Sequence, residues 1–572
     1  MTSIKQRPVS QAAVQHLQAA GLSPLMSRLF AARGVADVAQ IAVNLSNLLP
    51  PHSLTNNQAM AKLLADAIQA NKKLLVIGDY DADGATATAV AVKGLRAFGA
   101  DVGFLVPNRF EYGYGLTPEI VALAALQKPD VIVTVDNGIA SVDGVAAANA
   151  LGIQVLITDH HLPGPETPQA ACIINPNQHG CTFASKHLAG VGVMFYGLLG
   201  LRAELRERGV YAQEPEPNLT ELLDLVALGT VADLVKLDEN NRILVEQGLR
   251  RIRAGACSYG ITALLKIAGR EPAKATAQDL GFYVGPRLNA AGRLDDMTLG
   301  IQCLLAKTES EATQIAQQLH HLNLQRRSIE ADMQDSANIS LNDAQMEHQY
   351  SISMYQPDWH QGVIGILASR IKERHHRPVI AFADAGDGLI KGSGRSIAGL
   401  HLRDALDLLS KHQPDLILKF GGHAMAAGLT IRGDDFELFR HGFEAVVRSL
   451  ITEADLESVL EVDGSLGAGD MTFQTAQVLE NQVWGQGFAP PLFYDEFEVL
   501  NQRVLGEKHL KLALKPVSAA SPSVRSGLDS IDAIYFNQTD LLSDRIQAAY
   551  QLQTNSYNGA QKVQLNLRFV TA

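Results

Sequence analysis

Asp79, Asp81 and Asp83 occupy every second position of Asp-Tyr-Asp-Ala-Asp-Gly, which crowds three carboxylates into one short stretch. Like charges that close repel one another, and burying them is costly unless something positive neutralises them. A hard divalent cation is the simplest counterion, and the bland alternative is a solvated acidic turn. Two later stretches favour the cation. Val131-Ile132-Val133-Thr134-Val135 runs into Asp136-Asn137-Gly138, and Val155-Leu156-Ile157-Thr158 runs into Asp159-His160-His161. The side chains of two adjacent histidines diverge, so one can ligate a metal while the other faces a substrate. Ligands of mixed carboxylate and imidazole type suit Mn²⁺, with Mg²⁺ as the physiological competitor. A fourth acid, Asp233, follows an apolar helix that is expected to stop at Gly229-Thr230. Among Val231, Ala232, Leu234 and Val235 its carboxylate must either meet a cation or cap a helix, since an unpaired buried charge costs several kcal/mol, roughly.

The elements around these residues read as alternating strand and helix. Leu74-Leu75-Val76-Ile77 is apolar on both faces, as a buried strand of a parallel sheet must be. Residues 86–98, 118–126 and 143–150 are expected helices, and residues 102–106 a further strand. Strand, acid, helix therefore recurs, which argues for βαβ units whose acids converge on the carboxyl edge of one sheet.

Other stretches offer phosphate chemistry. Residues 107–116 form a glycine- and aromatic-rich loop in which Arg109, Tyr112 and Tyr114 can grip a phosphate and stack on a base. Residues 285–293 read as a loop with two arginines among small residues, and Arg287 is the better phosphate contact. The tight Gly392-Ser393-Gly394-Arg395-Ser396 brings amides, hydroxyls and a guanidinium together, a set able to bind a terminal phosphate. The first of these also has a plain reading as a surface loop, and Arg293 in the second as part of an interdomain loop.

A chain of 572 residues exceeds one hydrophobic core, so three or four domains are expected. It is 47% hydrophobic and 19% charged, an ordinary globular composition. The net charge of −12 does not point to nucleic acid, although a local basic groove can hide within it. Cys172, Cys181, Cys257 and Cys303 include no C-x-x-C pair, so neither a zinc knuckle nor a disulfide framework is indicated, and a reducing cytoplasm fits. The first residues lack the apolar core of a signal peptide, and no long uncharged apolar run suggests a membrane.

Residues 307–347 lack glycine and proline and place Ile315, Leu319, Leu322, Ile329 and Met333 near helical spacing, which predicts a long connecting helix. A second α/β unit follows over about 350–455. Beyond it, short strands at 459–462, 497–505, 509–514, 531–536 and 563–569 predict a small five-stranded barrel, an OB-fold by preference. Lys511 and Lys515 make part of one face basic, and Phe493, Tyr494, Tyr535 and Phe536 are candidate stacking residues.

Taken together, Asp79-Tyr80-Asp81-Ala82-Asp83-Gly84, Val135-Asp136-Asn137-Gly138, Thr158-Asp159-His160-His161 and Gly229-Thr230-Val231-Ala232-Asp233 resemble the four motifs of the DHH phosphoesterases. Residues 285–293, 391–396 and 420–428 resemble the RecJ branch of that family, and the resemblance covers nearly the whole chain. It implies a metal-dependent exonuclease that degrades single-stranded DNA from the 5′ end and acts in repair and recombination. It further implies two ions, Mn²⁺ or Mg²⁺, held by Asp81, Asp83, Asp136, His160 and Asp233. Asp79 would be a further ligand or the support of one. Asp136 would bridge the ions, and His161 would stabilise charge at the scissile phosphate. Gly421-Gly422-His423 resembles a substrate-facing motif, which adds His423 to Arg109, Tyr114, Arg287, Ser393 and Arg395 as substrate contacts.

The implied organisation is a helical segment (1–60), a parallel-sheet DHH domain (61–300), a connecting helix (301–347), a smaller α/β DHHA1 domain (348–455) and an OB-fold DNA-binding barrel (456–572). Metals on one lobe and phosphate binders on the other would make the 5′ end the point of attack. A single-strand-binding protein and a helicase are the partners the family implies, with the chain itself a monomer. The alternatives are another DHH phosphodiesterase acting on short oligoribonucleotides or cyclic dinucleotides, a manganese pyrophosphatase, and a non-catalytic DHH-fold scaffold that binds DNA.

Overall fold

The computed structural model describes residues 2–112, 114–213, 215–341, 348–517, 530–557 and 560–571. After β1 (Thr2–Gln6) come the helices Gln11–Ala19, Pro24–Ala31 and Asn57–Gln69. The apolar run then forms β2 (Lys73–Gly78), followed by β3 (Asp101–Leu105), β4 (Val131–Val135), β5 (Gln154–Thr158) and β6 (Cys172–Ile174). All four pairings among β2 to β6 are parallel, and the sheet order is β3-β2-β4-β5-β6. β4 is buried along its whole length, which explains its unbroken Val-Ile-Val-Thr-Val.

The helix after β2 spans Ala82–Ala97 and begins within the aspartate motif, four residues before the expected start. Asp81 is its N-cap, with Oδ1 accepting from the amides of Asp83 (2.9 Å) and Gly84 (3.0 Å). Helices Pro118–Ala125 and Val142–Ala150 cross over between the later strands.

Three expected local structures are corrected. The helix Leu223–Ala232 runs through Gly229-Thr230 instead of stopping there: the Asp233 amide still donates to the Gly229 carbonyl at 3.0 Å, and the Thr230 hydroxyl is satisfied within the helix by the Val226 carbonyl at 2.7 Å. Gly229 serves close packing, since a Cβ there would lie 2.2 Å from Thr86 Oγ1 and 2.7 Å from Val191 Cγ1. Residues 285–293 are not a loop but belong to the helix Gly285–Leu294, entered through a π-helical turn, Leu280–Val284. The loop at 107–116 contains a short helix, Arg109–Tyr112.

Chain contacts define two compact units. The larger comprises Gln6–Gly292, Asp296–His320 and Glu461–Ala572, and the smaller Met1–Lys5, Arg293–Asp295 and His321–Leu460. The predicted long helix is Glu309–Ser340; residues 342–347, also expected in it, lie outside the described residues.

In the smaller unit β7 (Ile352–Tyr355), β8 (Val379–Gly386), β9 (Leu389–Arg395), β10 (Lys419–Gly422) and β11 (Ala426–Arg432) form a sheet in the order β10-β11-β9-β8-β7. Its core gathers Phe382, Phe439, Phe443, Leu402 and Leu406. Gly392 to Arg395 are part of β9, paired with β8 on one side and β11 on the other. Their backbone amides therefore belong to the sheet, and the phosphate chemistry expected there falls to the side chains.

β12 (Ser458–Val462), expected in the barrel, pairs with β1 instead. The closed barrel consists of β13 (Phe493–Leu505), β14 (His509–Pro516), β15 (Ile531–Tyr535), β16 (Arg545–Tyr557) and β17 (Ala560–Thr571). β16 is not among the expected strands; its alternation is interrupted at Ala548-Ala549-Tyr550, where the pairing with β17 shifts register. Ile546, Ala548, Tyr550 and Leu552 are nonetheless buried. Phe493 is fully buried beside Tyr550, so it packs the barrel and is no stacking platform. Lys511 and Lys515 lie 3.8 Å from Asp532 and 3.6 Å from Glu498, which leaves a face of mixed charge where a basic one was expected.

The barrel end of the larger unit is pinned to its N-terminal helices. The buried Arg33 guanidinium meets the Asp463 carboxylate through two 3.0 Å hydrogen bonds and donates to the Ala489 carbonyl at 2.7 Å. Phe30, Trp484 and Phe488 pack around it, with Arg33 over the Trp484 ring and Arg242 over Phe488.

Candidate active site

From β2 the chain moves outward to β3 and then returns to β4 on the other side of β2. The strand order reverses there, and open parallel sheets bind ligands at such a point, beyond the carboxyl ends of the strands. Asp79 follows β2 and Asp136 follows β4, so both acids stand at the reversal.

Asp136 holds a left-handed backbone, φ +62°, which costs a non-glycine residue about 1–3 kcal/mol. Its surroundings enforce that conformation. The Asp136 amide donates to the Thr158 carbonyl at 3.0 Å, and the Asn137 side chain donates to the carbonyls of Val135 (2.9 Å) and Ile77 (3.2 Å). A Cβ on Gly190 would lie 2.5 Å from that of Asp136, so only glycine fits there.

Gly190 opens the helix Gly190–Glu207, and its amide donates to Asp83 Oδ2 at 2.6 Å while that of Val191 donates to Oδ1 at 2.9 Å. A helix N-terminus thus faces a carboxylate. Even so, burial and the neighbouring Asp81 raise the Asp83 carboxyl to about 7. Burial, with Asp83 and Asp81 beside them, pushes Asp136 and Asp233 well above the ordinary carboxylate range.

The ligand atoms converge. His160 Nε2 lies 3.1 Å from Asp136 Oδ1, 3.6 Å from Asp233 Oδ2 and 4.0 Å from Asp83 Oδ2. Three sets, Asp79–Asp81–Asp136, Asp83–His160–Asp233 and Asp136–His160–His161, each bring one ligand atom per residue within 4.8 Å of the others. Asp136 belongs to two of them. Asp136 Oδ1 is buried and, apart from the His160 Nε2 contact, meets no hydrogen-bond donor among the described residues. Carboxylates and imidazole packed at this density, with protonation favoured over mutual repulsion, fit divalent Mn²⁺ or Mg²⁺.

His161 is placed by a residue that sequence reading quoted but did not assign. Asp159 Oδ1 lies 2.7 Å from His161 Nδ1 and accepts the amides of His160 (2.7 Å) and His161 (3.1 Å), while Oδ2 accepts that of Ile139 at 2.9 Å. Burial would lower the His161 imidazolium, but the bond and charge of Asp159 raise it to about 9. Asp159 is itself held below the usual carboxylate range: burial would raise it, and the bond to His161, the charges of His161 and His160 and the Ile139 amide together outweigh that. The Tyr114 hydroxyl lies 3.2 Å from the His161 ring nitrogens, and its ring stands edge-on to His161 and Tyr80.

The helix Gly285–Leu294 supplies two more unassigned residues. Asn289 Oδ1 accepts the Ala82 amide at 2.8 Å, and a Cβ on Gly292 would lie 1.8 Å from the Tyr80 carbonyl oxygen. Both residues stand in the quoted motif, where the arginines drew the attention.

The expected phosphate contacts lie on several different elements. The Arg109 side chain lies outside the described residues. Arg287 is nearly buried and donates to the Tyr283 carbonyl (2.5 Å) and His320 Nδ1 (3.2 Å). In the smaller unit Arg395 donates to Ser393 Oγ at 3.2 Å and to the Gly394 carbonyl at 2.8 Å. Gly365, in the first turn of the helix Ile364–His375, makes room for both, since a Cβ there would lie 2.9 Å from Arg395 Nη2 and from Ser393 Oγ. His423 follows β10, its amide donating to the Ala426 carbonyl at 2.8 Å.

Comparison with known proteins finds matches along nearly the whole chain. Residues 73–230 match the DHH family N-terminal domain, residues 347–449 the DHHA1 domain and residues 462–568 the RecJ OB domain. The single-stranded-DNA-specific exonuclease RecJ of Dickeya dadantii is 49% identical over 577 residues, which cover 99% of this chain and 98% of that protein. The crystal structure of RecJ from Thermus thermophilus in complex with Mn²⁺ aligns with a TM-score of 0.82 at 30% identity, over 100% of this chain and 79% of that one. The corresponding complex with Mg²⁺ aligns with a TM-score of 0.73 at 28% identity, over 100% of this chain and 78% of that one.

Proposed function

The chain belongs to the RecJ family of single-stranded-DNA-specific exonucleases, and we propose that it hydrolyses single-stranded DNA stepwise from the 5′ end with two Mn²⁺ or Mg²⁺ ions. The observation that carries this reading is the convergence of Asp79, Asp81, Asp83, Asp136, His160 and Asp233 at the strand-order reversal, with Asp136 shared between two ligand sets. These six residues would hold the ions, Asp136 belonging to two of the ligand sets. When bound, such ions supply Lewis acidity, acidifying a water and neutralising charge on the phosphate.

The chain's own groups do the positioning. His161, oriented by Asp159, offers a ring N–H donor to a non-bridging phosphate oxygen. Tyr114 borders the same imidazole and is assigned to the substrate. Ser393 and Arg395, beside a helix N-terminus opened by Gly365, are assigned to the terminal 5′ phosphate. Arg109, Arg287 and His423 are proposed as further substrate contacts. The barrel is proposed to hold the strand through Phe536, 45% exposed and edge-on to His509, and through Tyr494 and Tyr535.

The protein is proposed to work as a monomer in the cytoplasm, alongside a single-strand-binding protein and a helicase, in repair and recombination. Its four cysteines are free thiols, and among the described residues no helix is long and apolar enough to cross a membrane.

Incubation with Mn²⁺ and 5′- or 3′-labelled single strands, duplexes and dinucleotides tests the reading. Mononucleotides released from single-stranded 5′ ends, and lost with Asp136→Ala, are the expected result. Cleavage of dinucleotides alone would overturn it.

A further inference from the structure

Two exposed apolar side chains lie on elements that meet at the end of the helix carrying Asp233, and one of them is held at a cost to the backbone. Leu234 directly follows Asp233, at the end of the helix Leu223–Ala232. Its backbone is left-handed, φ +58°, and the residue is 66% exposed. Helix ends commonly place glycine in that conformation, because a Cβ is penalised there. A leucine in this position strains the backbone and gains nothing from burial.

The second side chain is Phe282, 70% exposed on the π-helical turn Leu280–Val284. Single π-helical turns are rare and recur at functional sites. This one packs on the last turn of the helix that ends at Asp233. A Cβ on Gly281 would lie 3.1 Å from Val231 Cγ1, and one on Gly285 would lie 3.2 Å from Ala232 Cβ. The neighbouring Tyr283 lies under the Arg270 guanidinium at 4.8 Å, which holds the turn in place. Leu162, directly after His161, is 61% exposed and repeats the pattern of an apolar residue flanking a site residue.

We infer that Leu234 and Phe282 form an apolar shelf for the unpaired bases of the strand whose phosphates meet the acidic cluster. This deepens the exonuclease reading and rests on it. An unpaired base offers an open π face to apolar and aromatic side chains, whereas a base pair within a duplex keeps that face stacked. The shelf therefore contributes to single-strand specificity through base contact, separately from the residues that grip phosphate. Its occupant is a nucleobase of any identity, since every base presents such a face.

The test compares a fluorescent oligothymidylate with an abasic strand of equal length and charge. Affinities are measured by anisotropy with Mn²⁺ on strands carrying non-hydrolysable linkages, so that the acidic cluster stays neutralised, and cleavage is measured with Mn²⁺ on ordinary strands. The wild-type chain is expected to favour the strand with bases in both assays. Phe282→Ala and Leu234→Gly are each expected to lower the base-to-abasic affinity ratio about fivefold. Leu234→Asn also tolerates the left-handed backbone and guards against an effect peculiar to glycine. Leu234→Gly is expected to melt no lower than the wild type, which separates the shelf from a structural role.

Unchanged ratios in all three variants would overturn the shelf while leaving the exonuclease reading intact. A wild-type chain that binds both strands equally would overturn it as well. A chain that cleaves nothing, yet shows base-dependent binding lost in the variants, would overturn the exonuclease reading and support the shelf.

Discussion

Asp159 Oδ1 lies 2.7 Å from His161 Nδ1, and the same carboxylate accepts three backbone amides, one of them across the sheet edge at Ile139. One buried acid therefore shapes the turn after β5 and sets both the orientation and the charge of the imidazole. Asp159→Asn keeps the size but removes the charge and one acceptor, since an amide nitrogen cannot accept the Ile139 N–H. It is expected to lower kcat about 10–100-fold, the usual cost of losing a group that supports an active-site residue, with KM for single strands less affected. Steady-state kinetics at fixed Mn²⁺ check this, and a pure KM effect would count against it.

Asp233 is raised by burial and by the charges of Asp83 and Asp81. Removing one charge from a mutually repelling set relieves the metal-free chain. Asp233→Asn is expected to melt at or above the wild-type temperature in EDTA and to lose most of the rise produced by Mn²⁺. For the wild type that rise corresponds to about 2.7 kcal/mol at a metal concentration one hundred times Kd. Calorimetry with and without Mn²⁺ measures both quantities.

Gly292 and Asn289 clamp the aspartate motif from the helix Gly285–Leu294. Gly292→Ala drives a methyl group into the Tyr80 carbonyl, and Asn289→Ala leaves the Ala82 amide without its acceptor. Each is expected to cost about 1–3 kcal/mol of stability and to raise the Mn²⁺ concentration needed for half-maximal activity, because the motif shifts under the ions. Thermal melts and Mn²⁺ titrations of activity read the two effects separately.

Arg395 is assigned to the terminal phosphate. Arg395→Ala is expected to reduce the preference for 5′-phosphorylated over 5′-hydroxyl strands about tenfold, the scale of one charge-assisted hydrogen bond. Competition between the two labelled strands gives the ratio directly. Equal loss on both ends would remove the assignment.

Arg33 and Asp463 pair at 3.0 Å with both side chains almost wholly buried. Removing one partner strands a buried charge, so Asp463→Ala is expected to cost about 3–5 kcal/mol. Urea unfolding followed by Trp484 fluorescence would register it, since Trp484 packs against the Arg33 guanidinium.

Much of the site was legible before any fold was known. The aspartate motif, the Asp136 turn and the histidine pair each follow an apolar run, and such runs declare strands through their immediate neighbours alone. The motif combination also carried the family. The long helix and the five-strand count came from periodicity in the same way, although one counted strand belonged elsewhere. β12 pairs with β1, and pairing partners are not written in a strand's own pattern.

What only the tertiary structure decided has a common physical origin in contacts between residues distant in sequence. The order β3-β2-β4-β5-β6 sets Asp79 and Asp136 at one reversal, and strand order is a property of packing. Asn289 reaches the Ala82 amide across 207 positions, and Asp83 receives the Gly190 amide across 107. The lysines of β14 read as a basic face until the barrel set Asp532 and Glu498 opposite them. The run at 285–293, rich in small residues, resembles a loop until its close approach to Tyr80 shows why a helix there must carry glycine. Local sequence therefore determined which chemistry the chain holds, and long-range packing determined which atoms meet to perform it.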